Sequence, residues 1–246
     1  MKMKDLFSWD SKQYAKFRPT YPANLYQFVF QRIKENKMAW DCGTGNGQVA
    51  QVLASHFEHV FATDISQKQL NEAVQLPNIQ YLCCDEKQTP LVSNSIDLIT
   101  VGQAMHWFEV DKFYEEVYRV AKKGAIIATW GYSLLQISPP IDKLIYLFYK
   151  EKIGSFWDAE RKHVDEAYQN LPFPFEKIEI PNFQMQFSWN LYELEGYLHT
   201  WSSVGKFVRK EGYNPVHELV SSLKPFWEGN EEKMIVFPIF AKLGRI

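Results

Sequence analysis

Basic charge, cysteine and long apolar runs are all scarce in this chain, and each shortage closes off a class of function. Lysine and arginine number 27 against 29 aspartates and glutamates, a formal net charge of −2 over 246 residues. With no basic run beyond pairs such as Lys122-Lys123, bulk charge offers no footprint for nucleic acid or an anionic membrane. Three cysteines, two of them adjacent (Cys83 and Cys84), cannot all pair, and none stands at zinc-finger spacing from another Cys or His. No metal is therefore expected. No window approaches the roughly 18 uninterrupted apolar residues of a membrane span, and residues 1–10 hold no apolar stretch. A cytoplasmic location in a reducing compartment is the expectation. Also missing are Gly-x-Ser-x-Gly, His-Glu-x-x-His and a Walker loop, so hydrolase and kinase readings lack their minimum parts. What is plentiful is aromatic: 18 Phe, 13 Tyr and 8 Trp, weighted towards the second half, where rings fill a core and can line a pocket.

The first part of the chain alternates helix and strand. Leu25, Phe28, Val29 and Ile33 recur at helical spacing, residues 38–40 read as a short buried strand, and a glycine cluster follows at Gly43, Gly45 and Gly47. Val49, Ala50, Val52, Leu53 and Phe57 then resume a helical stripe. Strands are expected at 59–63, 79–83, 96–101 and 125–130, with helices at 66–74 and 110–121, the latter closed by Gly124. Strands this apolar on both faces belong to a parallel sheet covered by helices. After Gly131 the rhythm breaks. Helices are expected at 138–152, 191–203 and 215–227, an aromatic irregular stretch at 154–174, a strand at 175–189 interrupted at Pro181-Asn182, and a last strand at 234–243. Neither a repeat nor a long polar linker divides the chain. The pattern predicts one α/β domain over residues 1–246: a cap (1–36), a ligand-binding core (37–135), a sheet continuation and lid (136–233) and a last strand (234–246). The fold class is a Rossmann-like, doubly wound, mostly parallel seven-stranded sheet with one antiparallel strand and a partly helical lid at the sheet's carboxyl edge.

The chemistry-bearing segment is Trp40-Asp41-Cys42-Gly43-Thr44-Gly45-Asn46-Gly47. A strand-to-helix loop bare of side chains at alternate positions lets main-chain N–H groups approach a ligand closely. Asp64, ending the second strand, is placed to accept hydrogen bonds from a ribose diol. A dehydrogenase would carry the same acid, but its Gly-x-Gly-x-x-Gly fingerprint requires glycine at position 48, where this chain has Gln48. Gly-x-Gly-x-Gly after an acidic residue suits instead a nucleoside without phosphate.

These residues resemble the class I S-adenosylmethionine-dependent methyltransferases. The stretch at 40–50 resembles the glycine-rich first motif of that superfamily, the stretch at 63–66 its ribose-binding acidic end, and the stretch at 90–108 its fourth-strand region. Gln103-Ala104-Met105-His106-Trp107-Phe108 resembles a signature of the methyltransferase type 11, trans-aconitate methyltransferase-like subgroup. The segment Phe17 to Pro22, with Tyr14 upstream, resembles the amino-terminal part of that subgroup. The resemblance implies S-adenosyl-L-methionine as cofactor, with Asp41 orienting the loop, Gly43 and Gly45 facing the methionine part, Asp64 taking the ribose hydroxyls and Ile65 lying against adenine. Asp85 or Glu86 would accept from the adenine amino group, Asp85 being favoured because it directly follows the third strand. Gln103 would lie under the cofactor. His106, with Tyr14 and Arg18, would serve catalysis, and Trp107 and Trp130 would face the substrate.

The expected function is methyl transfer to a small organic molecule by a monomer or homodimer, at oxygen before nitrogen or carbon, with a carboxylic acid as acceptor. Enzymes that resemble one another in methylating nucleobase amines carry an Asn/Asp-Pro-Pro-aromatic tetrapeptide after the fourth strand, and this chain lacks it. A carboxylate arrives ionised and asks only for a clamp such as Arg18 with Tyr14, whereas a phenol or amine would want His106 as base. The alternatives are a structural His106 packed on Trp107, a non-catalytic S-adenosylmethionine-binding protein that engages a partner, and a nicotinamide oxidoreductase. His199 and Trp201 are further pocket candidates.

Overall fold

A computed structural model describes residues 17–246, so Tyr14 lies outside the described residues. In chain order the elements are α1 (Ala23–Phe30), β1 (Met38–Cys42), α2 (Gln48–Ala54), β2 (His59–Asp64), α3 (Gln67–Asn71), β3 (Ile79–Cys83) and β4 (Ile96–Gly102). There follow α4 (Val110–Val120), β5 (Ala121–Tyr132), α5 (Pro139–Leu147), α6 (Arg161–Asp165), β6 (Glu176–Ile178) and β7 (Phe183–Trp189). The last elements are α7 (Leu191–His199), α8 (Ser202–Glu211), α9 (Val216–Leu223) and β8 (Lys233–Arg245). The strands run β3-β2-β1-β4-β5-β8-β6, with β7 pairing β8 off that path. Strands β1 to β5 are mutually parallel where they pair, and β8 runs antiparallel to β5 and β6. The doubly wound α/β fold is as expected. Its sheet has eight strands rather than seven, because the break at Pro181-Asn182 makes two strands of one: proline removes a ladder donor there.

Two compact units are distinguished. One comprises Tyr21–Ser133, Lys162–Phe183 and Ile239–Ile246. Successive side chains of its central strands leave on opposite faces, as the two-residue period of a strand requires. Trp40, Ile99 and Ile127 join Phe113, Val117 and Tyr168 in one cluster, while Ala39, Leu98 and Ile126 join Leu25, Val29 and Leu53 in the other. Strand β4 is buried from Ile96 to Val101, which is why it reads as an unbroken apolar run. Helix α4 passes directly into β5, and Gly124 does not close the helix but lies within the strand at φ +83, its N–H on the carbonyl of Ile246 at 2.7 Å. The register there jumps from Ile96↔Ala121 to Leu98↔Ile126, so the glycine accommodates a bulge.

The other unit, made of residues 17–20, Leu134–Arg161 and Gln184–Pro238, is mostly helical. Asn190 and Glu193 form a reciprocal capping box at the start of α7. Trp201 is packed edge-on by Tyr149 and Tyr197, with centroids at 5.6 and 5.8 Å, so the aromatic excess of the second half fills this unit's core. Helix α8 was not expected. It buries only Ser203, Val204 and Phe207, a stripe too short to read, although Gly212 at φ +80 marks its end.

Candidate functional site

Because β3, β2, β1 and β4 are adjacent and parallel, the loops after them share one edge of the sheet. The order reverses between β1 and β4, the place where open α/β sheets leave a crevice for ligands. Ten of the expected site residues fall on these four carboxyl ends or their loops: Asp41, Gly43, Gly45, Asp64, Ile65, Asp85, Glu86, Gln103, His106 and Trp107.

Asp41 is 1% exposed, yet both carboxylate oxygens are matched. Oδ1 accepts from Thr100 Oγ1 at 2.7 Å, and Oδ2 accepts from Thr44 Oγ1. Burial pushes its carboxyl up to about 6, against the two threonine hydroxyls, and the nearby charge of Asp64 adds to the rise. Asp41 thus braces the loop from below. Neither Thr44 nor Thr100 was singled out from the sequence, although Thr100 faces Asp41 directly in the β1–β4 register and a buried carboxylate requires such donors.

The loop is held on β2 by Thr44 N–H to the carbonyl of Thr63 at 3.0 Å. Its glycines do different work. Gly43, at φ +68, lies so close to the segment after β4 that a Cβ would come within 2.4 Å of Ala104 Cβ. Gly45, at φ +58, faces open space, the nearest atom to a Cβ being Gln69 Oε1 at 4.0 Å. The main chain is therefore bare toward a ligand at Gly45, while Gly43 is required by packing. Gly45 N–H donates to Asp64 Oδ2 at 2.8 Å, and Ser66 N–H donates to Oδ1 at 2.9 Å. A carboxylate offers about four acceptor sites, so capacity remains beyond these amides for a ribose hydroxyl. Burial raises the Asp64 carboxyl above its ordinary range, opposed by the amides of Ser66, Gly45 and Ile65. Ile65 is 44% exposed, an apolar side chain left in solvent beside this carboxylate, as a planar base would require.

At the end of β3, Cys84 N–H reaches the carbonyl of Asp64 at 3.1 Å. Asp85 Oδ1 accepts from Lys87 N–H at 2.9 Å, and Oδ2 meets the Lys87 ammonium at 3.3 Å. Burial opposes it, but those Lys87 groups and a hydrogen bond with Glu86 hold the Asp85 carboxyl below its usual value. Glu86 accepts from Glu109 N–H at 3.2 Å, and burial raises its carboxyl. Both oxygens of Asp85 are engaged by Lys87, whereas Glu86 meets the Glu109 N–H and the Asp85 carboxyl.

Gln103 sits in the left-handed region at φ +54, tied to β5 through its N–H on the Trp130 carbonyl and its Oε1 under Tyr132 N–H, both 2.7 Å. His106, on the short helical turn Met105–Trp107, is 9% exposed, with Nδ1 at 3.0 Å from the hydroxyl of Tyr168 and its ring 4.7 Å from that of half-buried Trp107. No signal in the sequence marked Tyr168. Trp130, expected to face the substrate, is instead 1% exposed, with Tyr21 and Tyr26 edge-on at 5.7 and 5.9 Å. It alternates to the cluster that holds Leu25 and Val29, so it packs as core. Arg18 belongs to the other unit, where Nη2 donates to the Thr200 carbonyl at 3.2 Å and the guanidinium lies 5.9 Å from the Tyr197 ring.

Among the described residues, Glu195, His199 and His217 of that unit form the one group with metal-ligand composition, their donor atoms within 4.8 Å of one another. Asn214 Oδ1 accepts from Val216 N–H, so its amide nitrogen faces His199 Nδ1 at 3.2 Å and directs the proton to Nε2. That nitrogen faces Glu195 Oε1 at 3.7 Å. His199 is exposed, a surface contact rather than a pocket wall.

Bare main chain at Gly45, a carboxylate at Asp64 and an exposed apolar side chain at Ile65 fit a nucleoside with no phosphate. Comparison with known proteins agrees. Residues 40–129 match the methyltransferase domain family. A Dictyostelium discoideum protein named as a methyltransferase is 31% identical, over 99% of this chain and 96% of its own length. Methyltransferase cfoB of Aspergillus candidus is 26% identical, over 91% and 79%. The structure of a type II methyltransferase from Anaeromyxobacter dehalogenans superposes with a TM-score of 0.86 at 34% identity, covering 93% of this chain and 98% of that one. The chain belongs to the class I S-adenosylmethionine-dependent methyltransferases.

Proposed function

We propose that this enzyme methylates a carboxylate oxygen of a small organic acid, giving a methyl ester, as the resemblance to the trans-aconitate methyltransferase-like subgroup implies. S-adenosylmethionine, when bound, supplies an electrophilic methyl group on a sulfonium centre. Gly45 main chain, Asp64, Ile65 and one of Asp85 and Glu86 are the residues that would hold it, with Asp41 and Gly43 keeping the loop in place and Gln103 fixing the segment after β4. Together they orient the donor and exclude water, from which most of the barrier reduction in such a displacement derives.

One observation carries the choice of acceptor: the acidic groups at this edge are already engaged. Asp41 is braced by two threonines, Asp64 by two main-chain amides, Asp85 by Lys87 and Glu86 by Glu109, while His106 is buried against Tyr168. An acceptor that arrives ionised needs none of them as a base. A net charge of −2 without a polybasic run favours a small molecule over nucleic acid. The test is turnover with methyl-labelled S-adenosylmethionine against a panel of carboxylic acids, phenols and amines. Label in the acids, released as methanol by mild alkali, supports the proposal. Base-stable label confined to phenols or amines refutes it.

A further inference from the structure

Two helices of the mostly helical unit bring three donor side chains together. Glu195 and His199 stand one turn apart on α7, at the i and i+4 positions that share a face, and His217 stands in the first turn of α9. One ligating atom of each lies within 4.8 Å of those of the other two. Glu195 is half-buried and both histidines are exposed, their rings edge-on with centroids 6.0 Å apart. His199 Nε2 lies 3.7 Å from Glu195 Oε1, too far for a hydrogen bond. Two donors held at about 2.1 Å by one tetrahedral zinc ion are about 3.4 Å apart, so this gap is close to that of two ligands on a shared ion. The remaining gaps, none above 4.8 Å, close by rotations that exposed histidine side chains can make.

The donor set selects the ion. Two imidazoles and one carboxylate suit zinc, whereas calcium and magnesium take oxygen ligands. Asn214 sets the cost of binding it. Its Oδ1 accepts from Val216 N–H at 3.0 Å, and its amide nitrogen faces His199 Nδ1 at 3.2 Å. An imidazole that ligates through Nε2 carries its proton on Nδ1 and calls for an acceptor there. Turning the Asn214 amide supplies Oδ1 to that proton and gives up the contact with Val216 N–H. The ion therefore competes with a hydrogen bond at the start of α9. We propose that Glu195 Oε1, His199 Nε2 and a ring nitrogen of His217 form a zinc site that cross-links α7 to α9, with Asn214 as the residue that limits its affinity. The three residues belong to neither the cofactor cradle nor the reading of the methyl acceptor.

The test uses untagged full-length protein, stripped with a chelator and titrated calorimetrically with zinc chloride in a non-coordinating buffer at about pH 7.5, where an ordinary imidazole is mostly neutral. One zinc per chain is expected, with a melting temperature that rises with zinc because the ion binds the folded chain. His217→Ala and Glu195→Gln should each lower the affinity by at least about tenfold. Asn214→Asp should raise it by about tenfold, since its two oxygens accept from Val216 N–H and His199 Nδ1–H at once. No binding by the wild-type protein overturns the proposal, as does an affinity that His217→Ala and Glu195→Gln leave unaltered or that Asn214→Asp fails to raise. Loss of binding in the double variant Cys83→Ser, Cys84→Ser would place the ion on those adjacent thiols and overturn it as well. Melting curves without zinc show which variants fold, and should one ligand variant fail, the other decides.

Discussion

Replacing Asp64 tests the seat of the nucleoside most sharply, because one carboxylate serves both the fold and the ligand. In the protein it accepts Gly45 N–H at 2.8 Å and Ser66 N–H at 2.9 Å, joining the glycine loop to the turn after β2. Asp64→Ala removes both acceptors and any contact with a ribose diol. Loss of a hydrogen bond to a charged group costs about 1.5–3 kcal/mol, so affinity for S-adenosylhomocysteine should fall by about one to two decades. Asp64→Asn keeps the shape but turns an amide NH2 toward one of the two N–H donors, and it should weaken binding comparably. Calorimetric titration of the three proteins provides the affinities, and their melting curves separate a binding loss from unfolding. Burial has raised the Asp64 carboxyl, and the ionised form is the better ribose acceptor. Wild-type affinity should therefore weaken on acidification at a higher pH than an ordinary carboxylate would dictate. Folded Asp64→Ala and Asp64→Asn proteins with wild-type affinity would refute the reasoning.

The two loop glycines should differ in their cost to stability. Gly43→Ala forces a Cβ to within 2.4 Å of Ala104 Cβ at a positive φ and should cost about 1–3 kcal/mol in denaturant unfolding, whereas Gly45→Ala, at φ +58, adds backbone strain without a clash, so it should cost less stability and also reduce affinity for S-adenosylhomocysteine. Equal effects of the two on stability would contradict the packing described. For Asp41, a folded pKa of about 6 above an unfolded value of about 3.9 means that the native state holds the extra proton between those limits. Its contribution thus favours folding below about pH 4, is lost as pH rises through about 6, and amounts to about 3 kcal/mol. Asp41→Asn should flatten that part of the stability profile; an unchanged slope would count against the buried charge. Ala167→Gly relieves one left-handed residue and should raise the denaturant midpoint by about 0.5–1 kcal/mol of stability, a gain that an unstrained turn would not give.

Much of the cofactor side was legible because its requirements are local. A strand, three spaced glycines, a helix and an acid at the next strand end leave a direct trace in order and spacing, and Asp41, Gly43, Gly45, Asp64 and Ile65 fall on one edge accordingly. The partners of those residues were not legible. Thr100 meets Asp41 only through the register of β1 with β4, and Tyr168 reaches His106 from 62 residues away. Trp130 misled for a related reason: its place at the end of a strand suggests the crevice, but the alternation of side chains sends its ring to the opposite cluster. Between Asp85 and Glu86 the sequence shows two carboxylates, and the pairing of Asp85 with Lys87 distinguishes them only in three dimensions.

A crystal structure of the complex with S-adenosylhomocysteine tests the central claim most directly. The result expected is the ribose diol on the Asp64 carboxylate, the base against Ile65 with its amino group toward Asp85 or Glu86, and the main chain of Gly45 facing the amino-acid part. The ligand seated elsewhere, or that edge of the sheet closed by side chains with Asp64 bonded to its own loop alone, would contradict it.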